Sequence, residues 1–349
     1  VEKARYISDA TFKRLRCTEV VEGDCLISRL PDPPGRSCIL PDTGERMITA
    51  VDCTIVRFDT ARIIPEFFNF YSQSTEYLSA VDSETTGTTR KRISRSKLGE
   101  VKIPVPPISE QQRIVAILDE AFDGIATARA NTEKNLQNAR ALFESHLQSA
   151  FTQRGEGYVE KALSEVCAIT STLVDPKKSQ FLDLTHVGAG NIESQTGAFV
   201  DLKTAREEGL ISGKFLFDES MVLYSKIRPY LMKVVRPDFH GLCSADIYPL
   251  SPLPGEITRD YLFYLLLSNG FTDYAIQGSA RAGMPKVNRE HLFEFRAWLP
   301  CVKKQEELVL RLDDLHVESR RLESLYQRKL AALDELKKSL LHKAFSGEL

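Results

Sequence analysis

Five basic residues in eight positions, Arg90, Lys91, Arg92, Arg95 and Lys97, form the strongest chemical signal in the sequence. Lys and Arg neutralise phosphates, and Arg can also pair with guanine through two parallel hydrogen bonds. A solvated surface loop has the same composition, and this stretch alone leaves the two readings even. Arg281, Lys286 and Arg289 lie in a second such stretch, where Gly278 and Gly283 allow close backbone approach. Arg29, Lys226 and Arg228 follow short β-rich runs and are weaker candidates, because an Arg at a strand end is more often an ordinary surface charge. Tyr224 and Tyr230 suit core packing better than base contact.

Residues that do covalent chemistry are scattered. The six histidines, at 146, 186, 240, 291, 316 and 342, make no HExxH or HxH pattern, and no GxxxxGK[ST] loop exists to hold ATP phosphates. Histidines in the helical stretches read as surface or seam residues. Asp32-Pro-Pro-Gly35 faintly resembles the catalytic tetrapeptide of base methylation, but that chemistry needs an aromatic fourth residue to stack on a flipped base. Gly35 makes it a Pro-rich turn. The seven cysteines form no CxxC pair, so neither a zinc ribbon nor a disulfide framework is expected, and they read as small apolar residues in a reducing cytoplasm. No catalytic residue and no metal site is expected.

What positions the cations is a repeat. Residues 98–151 align without a gap on 292–345 at a constant offset of 194. Pro106 falls on Pro300, Gln111 on Gln305, Leu118 on Leu312 and Phe151 on Phe345. The offset also carries Val51-Asp52 onto Ala245-Asp246, and Leu26–Leu30 resembles Leu223–Ile227 after a small register shift. Each copy is a mixed globular region followed by a long helix. The 349 residues suit two or three domains, and the first copy lacks about 40 residues matching the start of the second.

In the first helical stretch Ile114, Leu118, Ala121, Ile125, Ala128, Thr132, Asn135, Ala139, Leu142, His146 and Ser149 step by four and three. The second gives Leu308, Leu312, Leu315, Ser319, Leu322, Tyr326, Lys329, Leu333, Leu336, Leu340 and Lys343. These steps average about 3.5 residues, the period of a coiled-coil seam, so each stripe wants a partner helix. The expected seam is Ile114, Leu118, Ile125 and Leu142 on one rod, with Leu308, Leu312, Leu315, Leu322, Leu333, Leu336 and Leu340 on the other. Pro104, Pro106 and Pro107 end the preceding strand, Ser109 with Gln112 fits a capping box, and Gly124 is a weak point inside the helix. In the globular parts, Asp24–Ser28 and Met221–Ser225 read as strands and Tyr261–Ser268 as a buried helix.

Three strings carry a family resemblance: Ile103-Pro-Val-Pro-Pro-Ile-Ser-Glu-Gln-Gln-Arg-Ile-Val-Ala-Ile-Leu-Asp119, its degenerate copy from Leu299 to Asp313, and the ending Ser339–Leu349. With Gly278–Asn288 and its counterpart Gly87–Ser94, they resemble the specificity subunits of type I restriction-modification systems (the HsdS family) over essentially the whole chain. The resemblance implies an α+β fold with two similar target-recognition domains, two long antiparallel coiled-coil helices and an internal pseudo-twofold repeat. The expected boundaries are a first recognition domain at 1–107, a spacer helix at 108–154, a second recognition domain at 155–302 and a second spacer helix at 303–349. It further implies a non-catalytic, DNA-binding subunit of the cytoplasm that reads a bipartite double-stranded DNA site. Its partners would be two modification (methyltransferase) subunits and a restriction (ATP-dependent translocase and endonuclease) subunit. S-adenosylmethionine, ATP and Mg would then sit on those partners and no cofactor on this chain. With Lys+Arg 46 against Asp+Glu 48, any DNA surface must be local. An antiparallel pair of rods puts half-sites about one DNA turn apart, ~34 to 36 Å. The alternatives are a coiled-coil scaffold, which leaves the cationic loops unexplained, and a methyltransferase with a fused recognition domain, whose cofactor loop is missing. No apolar run is long enough to span a membrane.

Overall fold

The computed structural model of the chain describes residues 6–31, 33–87, 91–279 and 285–349. Two compact units divide it: Val1–Asn135 with Leu325–Leu349, and Leu136–Ser324. Both mix sheet and helix.

In the first unit a three-stranded antiparallel sheet orders Ser37–Ile39, Cys25–Ser28 and Cys53–Val56. Helices Pro65–Tyr71, Thr75–Ser83 and Arg95–Glu100 follow. Each begins where its sequence allows: Pro65 supplies a fixed φ at the first position, and the hydroxyls of Ser74 and Ser94 accept from the Tyr77 and Lys97 N–H groups. Phe67, Phe68 and Tyr77 are buried with Leu118, Leu341 and Ala344 of the long helices in one core. The turn at Gly35 is forced by space as well as by its φ of +92°, since a Cβ there would lie 2.9 Å from Val81 Cγ1.

The second unit repeats this frame. Val234–Val235, Val222–Ser225 and Ile247–Pro252 pair antiparallel, and helices Arg259–Leu266, Asn269–Gln277 and Arg289–Glu294 succeed them. Their caps are Thr258, Ser268 and Asn288. Ser268 and Asn288 stand 194 positions after Ser74 and Ser94, so the repeat extends to the residues that start helices. Every residue from Tyr261 to Leu266 is buried, as the apolar run predicts. Two further parts have no counterpart among the described residues of the first unit. One is a five-stranded sheet ordered Lys203–Thr204, Thr185–Val187, Gly241–Cys243, Lys214–Phe217 and Leu173–Val174. The other is the segment Val159–Ala168, a strand, one helical turn and a second strand, which pairs with Arg296–Leu299 and with Ser251–Pro252.

The long helices are Ile108–Thr152 and Val302–Ser346, 45 residues each. At ~1.5 Å per residue each is a rod of about 68 Å. The first starts ahead of the expected capping box: Ser109 lies inside the helix and Gln112 is exposed. Gln111 does the work instead. Its buried amide accepts from the Ile64 N–H at 2.8 Å and donates to the carbonyls of Arg62 at 2.9 Å and Pro106 at 2.7 Å. In the second unit Gln305 accepts from the Thr258 N–H at 2.9 Å and donates to Glu256 and Pro300 at 2.9 and 3.0 Å. All four positions of one constellation recur at the offset of 194. Gly124 has open space where a Cβ would stand and does not break its helix.

Within each unit the helical segments run antiparallel. In the first, Ile114 and Leu118 share a core with Leu340, Leu341 and Ala344, and Arg129 meets Asp334 at 2.5 Å. In the second, Ser319 Oγ donates to the Ala139 carbonyl at 3.0 Å, the His316 ring packs on Phe143, and Leu308 and Leu312 join the core. Ile125, Leu315, Leu322 and Leu333 are half-buried. Leu142 and Leu336, expected in the seam, are 53% and 46% exposed. The covered residues are Thr132, Leu136, Ala139, Phe143 and Leu147 on one helix, and Tyr326, Leu330, Leu333, Lys337 and Leu341 on the other. Beyond Thr132 and its equivalent Tyr326 the stripe has moved on by one residue. From Ile114 to Ala150 it takes ten steps over 36 residues, so its period is about 3.6, that of a straight helix. A strict 3.5 repeat drifts by ~20° per heptad against such a helix, and that drift carries Leu142 and Leu336 to the surface.

Replacing Gln305 with Leu leaves three backbone groups, one buried and two partly buried, without their partner, at ~1 to 3 kcal/mol for a fully buried one and less for the others. We predict that Gln111→Leu and Gln305→Leu each lower the unfolding free energy by more than about 2 kcal/mol in urea, whereas Gln112→Leu changes it little. Equal effects of all three would show that the amides do not hold the helix starts.

Candidate nucleic-acid interface

Arg29, just after the strand Cys25–Ser28, and the segment that carries Arg92 meet at Asp52. The Arg29 N–H donates to the Asp52 carbonyl at 2.9 Å, and the Ile93 N–H donates to the Arg29 carbonyl at 3.2 Å. Arg92 closes the arrangement, its Nη2 lying 2.6 Å from Asp52 Oδ1. The Arg29 guanidinium donates to the Val51 carbonyl, and the residue is only 8% exposed.

The second unit builds the same knot from different side chains. The Lys226 N–H donates to the Asp246 carbonyl at 3.0 Å, and the Val287 N–H donates to the Lys226 carbonyl at 2.8 Å. Lys286 Nζ lies 3.1 Å from Asp246 Oδ1. Lys226 Nζ donates to the Ala245 carbonyl at 2.6 Å, as Arg29 does to Val51, and sits 5.3 Å from the centre of the Tyr248 ring. Tyr248 in turn donates to the Val287 carbonyl at 3.1 Å, and burial raises the pKa of its phenol. In both units a cation after a strand clamps the loop that bears an Asp, and the Asp holds a second cation ahead of a short helix.

This geometry sorts the expected binding residues. Arg29, buried and committed to a backbone carbonyl, is removed from the exposed candidates. Lys226 is half-buried on the same task. Arg92 and Lys286 are exposed, each partly neutralised by its Asp. Lys91 pairs with Asp82 at 2.9 Å, and Lys97 pairs with Glu84 at 3.0 Å and Glu100 at 3.6 Å, an acidic setting led by Glu84 that raises its pKa. Exposed pairs of this kind contribute ~0 to 1 kcal/mol, so a phosphate can displace the carboxylate cheaply. Arg95 and Arg289, equivalent at the offset of 194, are exposed first residues of their short helices and enter no ion pair among the described residues. Arg228 is exposed, with a left-handed φ of 50° and its N–H donated to the Pro285 carbonyl at 2.9 Å. Arg90 and Arg281 lie outside the described residues. Tyr224 is buried, consistent with packing, and Tyr230 is half exposed.

Asp52 and Asp246 are the centres of these knots, and a search for cations passes over them. Their signal was the alignment of Val51-Asp52 on Ala245-Asp246. Among the described residues no group of acidic, His or Cys side chains is arranged to hold a metal, and no helix is long and apolar enough to cross a membrane.

Comparison with known proteins bears on what such a doubled site belongs to. Residues 43–137 match the model of the type I restriction modification DNA specificity domain, a stretch that includes Asp52, Arg92 and Arg95. The EcoDI type I restriction enzyme specificity subunit of Escherichia coli is 29% identical over 296 residues, covering 75% of this chain and 66% of its own length. The chain is similar to type I restriction specificity subunits. The Escherichia coli EcoBI subunit is 23% identical over 310 residues, covering 80% of the chain and 65% of that subunit. The chain thus spans just under two thirds of the length of these relatives. In fold it matches the HsdS subunit from Thermoanaerobacter tengcongensis with a TM-score of 0.59 at 19% identity, over 95% of this chain and 82% of that one. A chain from a structure of type I R-M complex assembly and conformational transition gives 0.76 at 18% identity, over 95% and 84%.

If Arg95 and Arg289 meet phosphates, replacing both with Gln should weaken DNA binding by the assembled complex and flatten the dependence of log K on log salt by about 2, at ~0.9 per contact. Titrations at several salt concentrations that overlay those of the parent chain would remove both residues from the interface.

Proposed function

We propose that the chain is the DNA-binding specificity subunit of a type I restriction-modification complex and has no catalytic role of its own. The observation that carries this reading is the cation–Asp–cation knot built twice, on the same frame, from different side chains. Shared frames suit a shared task, and different side chains around them suit two different half-sites, as in a dimeric reader whose halves have diverged. On this reading the recognition domains are residues 1–107 and 155–302, related by a pseudo-twofold repeat. The helices 108–154 and 303–349 form an antiparallel coiled-coil spacer, with the 3.6-residue stripe described above in place of strict heptads.

Arg92, Arg95, Lys91 and Lys97 in one domain, and Lys286, Arg289, Lys226 and Arg228 in the other, supply the contacts, with Arg90 and Arg281 beside them in sequence. Such a site binds and orients a duplex by neutralising phosphates, while Arg side chains facing the major groove read guanine. Two modification subunits would dock on the helices, and with a restriction subunit they would supply methyl transfer from S-adenosylmethionine and ATP- and Mg-dependent cleavage.

Lengthening both rods tests the spacer. Seven residues inserted after Glu133 and seven after Gln327, equivalent positions in the two copies, add ~10 Å and fall ~20° short of two full turns. The methylated half-sites of a host expressing the complete system should keep their bases, while the unread gap grows by up to about three base pairs at ~3.4 Å each. An active variant with the original gap would contradict the spacer role.

A further inference from the structure

One part of the repeat is seen in only one of the units among the described residues, and a cleft lies at its place in the other. In the second unit Leu163, Val166 and Cys167 of the segment Val159–Ala168 are at most 2% exposed, in a core with Tyr224, Leu250, Leu262, Phe271 and Leu292. In the first unit the residues at the equivalent positions, Ile27, Val56, Phe68, Tyr77 and Leu98, line a cavity of about 290 Å³. Thr54 lines it too, and the hydroxyls of Thr54 and Tyr77 are buried without a hydrogen-bond partner, in residues 8% and 1% exposed. A buried hydroxyl left unpaired costs ~1 to 3 kcal/mol, so the cleft is short of a polar partner as well as of apolar filling.

The edge beside the cleft is also unpaired among the described residues. Arg296–Leu299 forms a ladder with Val159–Ala162, extended by the Leu163 N–H donating to the Phe295 carbonyl at 2.8 Å. Its equivalent, Lys102–Val105, pairs with no strand among the described residues. By the alternation of an antiparallel ladder, Phe295, Ala297 and Leu299 turn their backbone groups toward the partner strand and Trp298 turns its own away. Pro104 stands where Trp298 does, so its missing N–H falls on the outward side. Ile103 and Val105 keep their N–H groups for a partner. A proline so placed is compatible with strand addition.

We propose that the cleft between this edge and the helices Thr75–Ser83 and Arg95–Glu100 is a docking site for a peptide segment with the chemistry of Val159–Ala168. The occupant adds an extended strand to Ile103–Val105, turns once, and places a Leu-x-x-Val-Cys set of apolar side chains in the cavity. Its occupant is identified by the chain's own second copy, and the inference does not depend on the DNA-binding reading.

A synthetic peptide of residues Tyr158–Thr170, fluorescently labelled, tests it by polarisation against the full chain. Saturable binding is expected. Leu163→Asp with Val166→Asp in the peptide should weaken it at least tenfold, as should a backbone N-methyl at Lys161, which faces the edge. An N-methyl at Glu160, which faces outward, should be tolerated. Ile103→Pro in the chain should abolish binding, and the N-methyl pair keeps the test intact if that variant misfolds. Absence of saturable binding, or binding indifferent to the aspartates and to the position of the methyl group, overturns the proposal.

Discussion

A buried glutamine amide whose three hydrogen bonds all go to backbone groups is the constraint on which each half of this chain depends. Gln111 and Gln305 sit just inside the long helices, and each reaches the proline turn behind it and the loop ahead of a buried aromatic helix. The amide therefore fixes where a rigid helix leaves a globular body, in both copies, by the same three bonds. Neither Glu, which lacks the two donors, nor Leu, which lacks everything polar, could replace it. With the shared cores around it, this side chain holds the globular parts in register with the helices.

Electrostatics works on a second level. The chain has no excess of positive charge, and four of its candidate cations are tied to carboxylates one by one: Arg92 to Asp52, Lys286 to Asp246, Lys91 to Asp82, Lys97 to Glu84. Such pairs keep basic loops ordered when no polyanion is present, yet their small worth in water leaves them exchangeable. The half-buried cation Arg236 behaves differently. It lies between Asp260 and Asp313 and against the Phe263 and Tyr264 rings, where it joins a helix to the second rod.

Much of this was legible in the sequence because it was written twice. The offset of 194 located both long helices and the Asp pair, and local patterns located the strands Cys25–Ser28 and Val222–Ser225 and the buried helix that begins near Tyr261. Three things were not legible. The stripe on the rods was read as a strict heptad, because Leu142 and Leu336 are apolar and correctly spaced; only burial reveals that a straight helix has turned past them. The sequence shows Arg29 only as a cation beside a strand, because the charge of a side chain does not say that a carbonyl of its own chain, Val51, will hold it. Gln111 was noticed as a repeated letter, but its role depends on carbonyls about 50 residues away in sequence, which no local pattern encodes. The family resemblance pointed to DNA and to the duplicated layout, whereas the knots at Asp52 and Asp246 emerged from geometry.

The central claim is that each copy reads its own half of a split DNA site. Replacing residues 155–302 with the corresponding region of a relative that has a different target, and sequencing the methylated sites of a host that expresses the complete system, tests it most directly. One half-site should change and the other should keep its bases. A change in both halves, or in neither, would contradict the account.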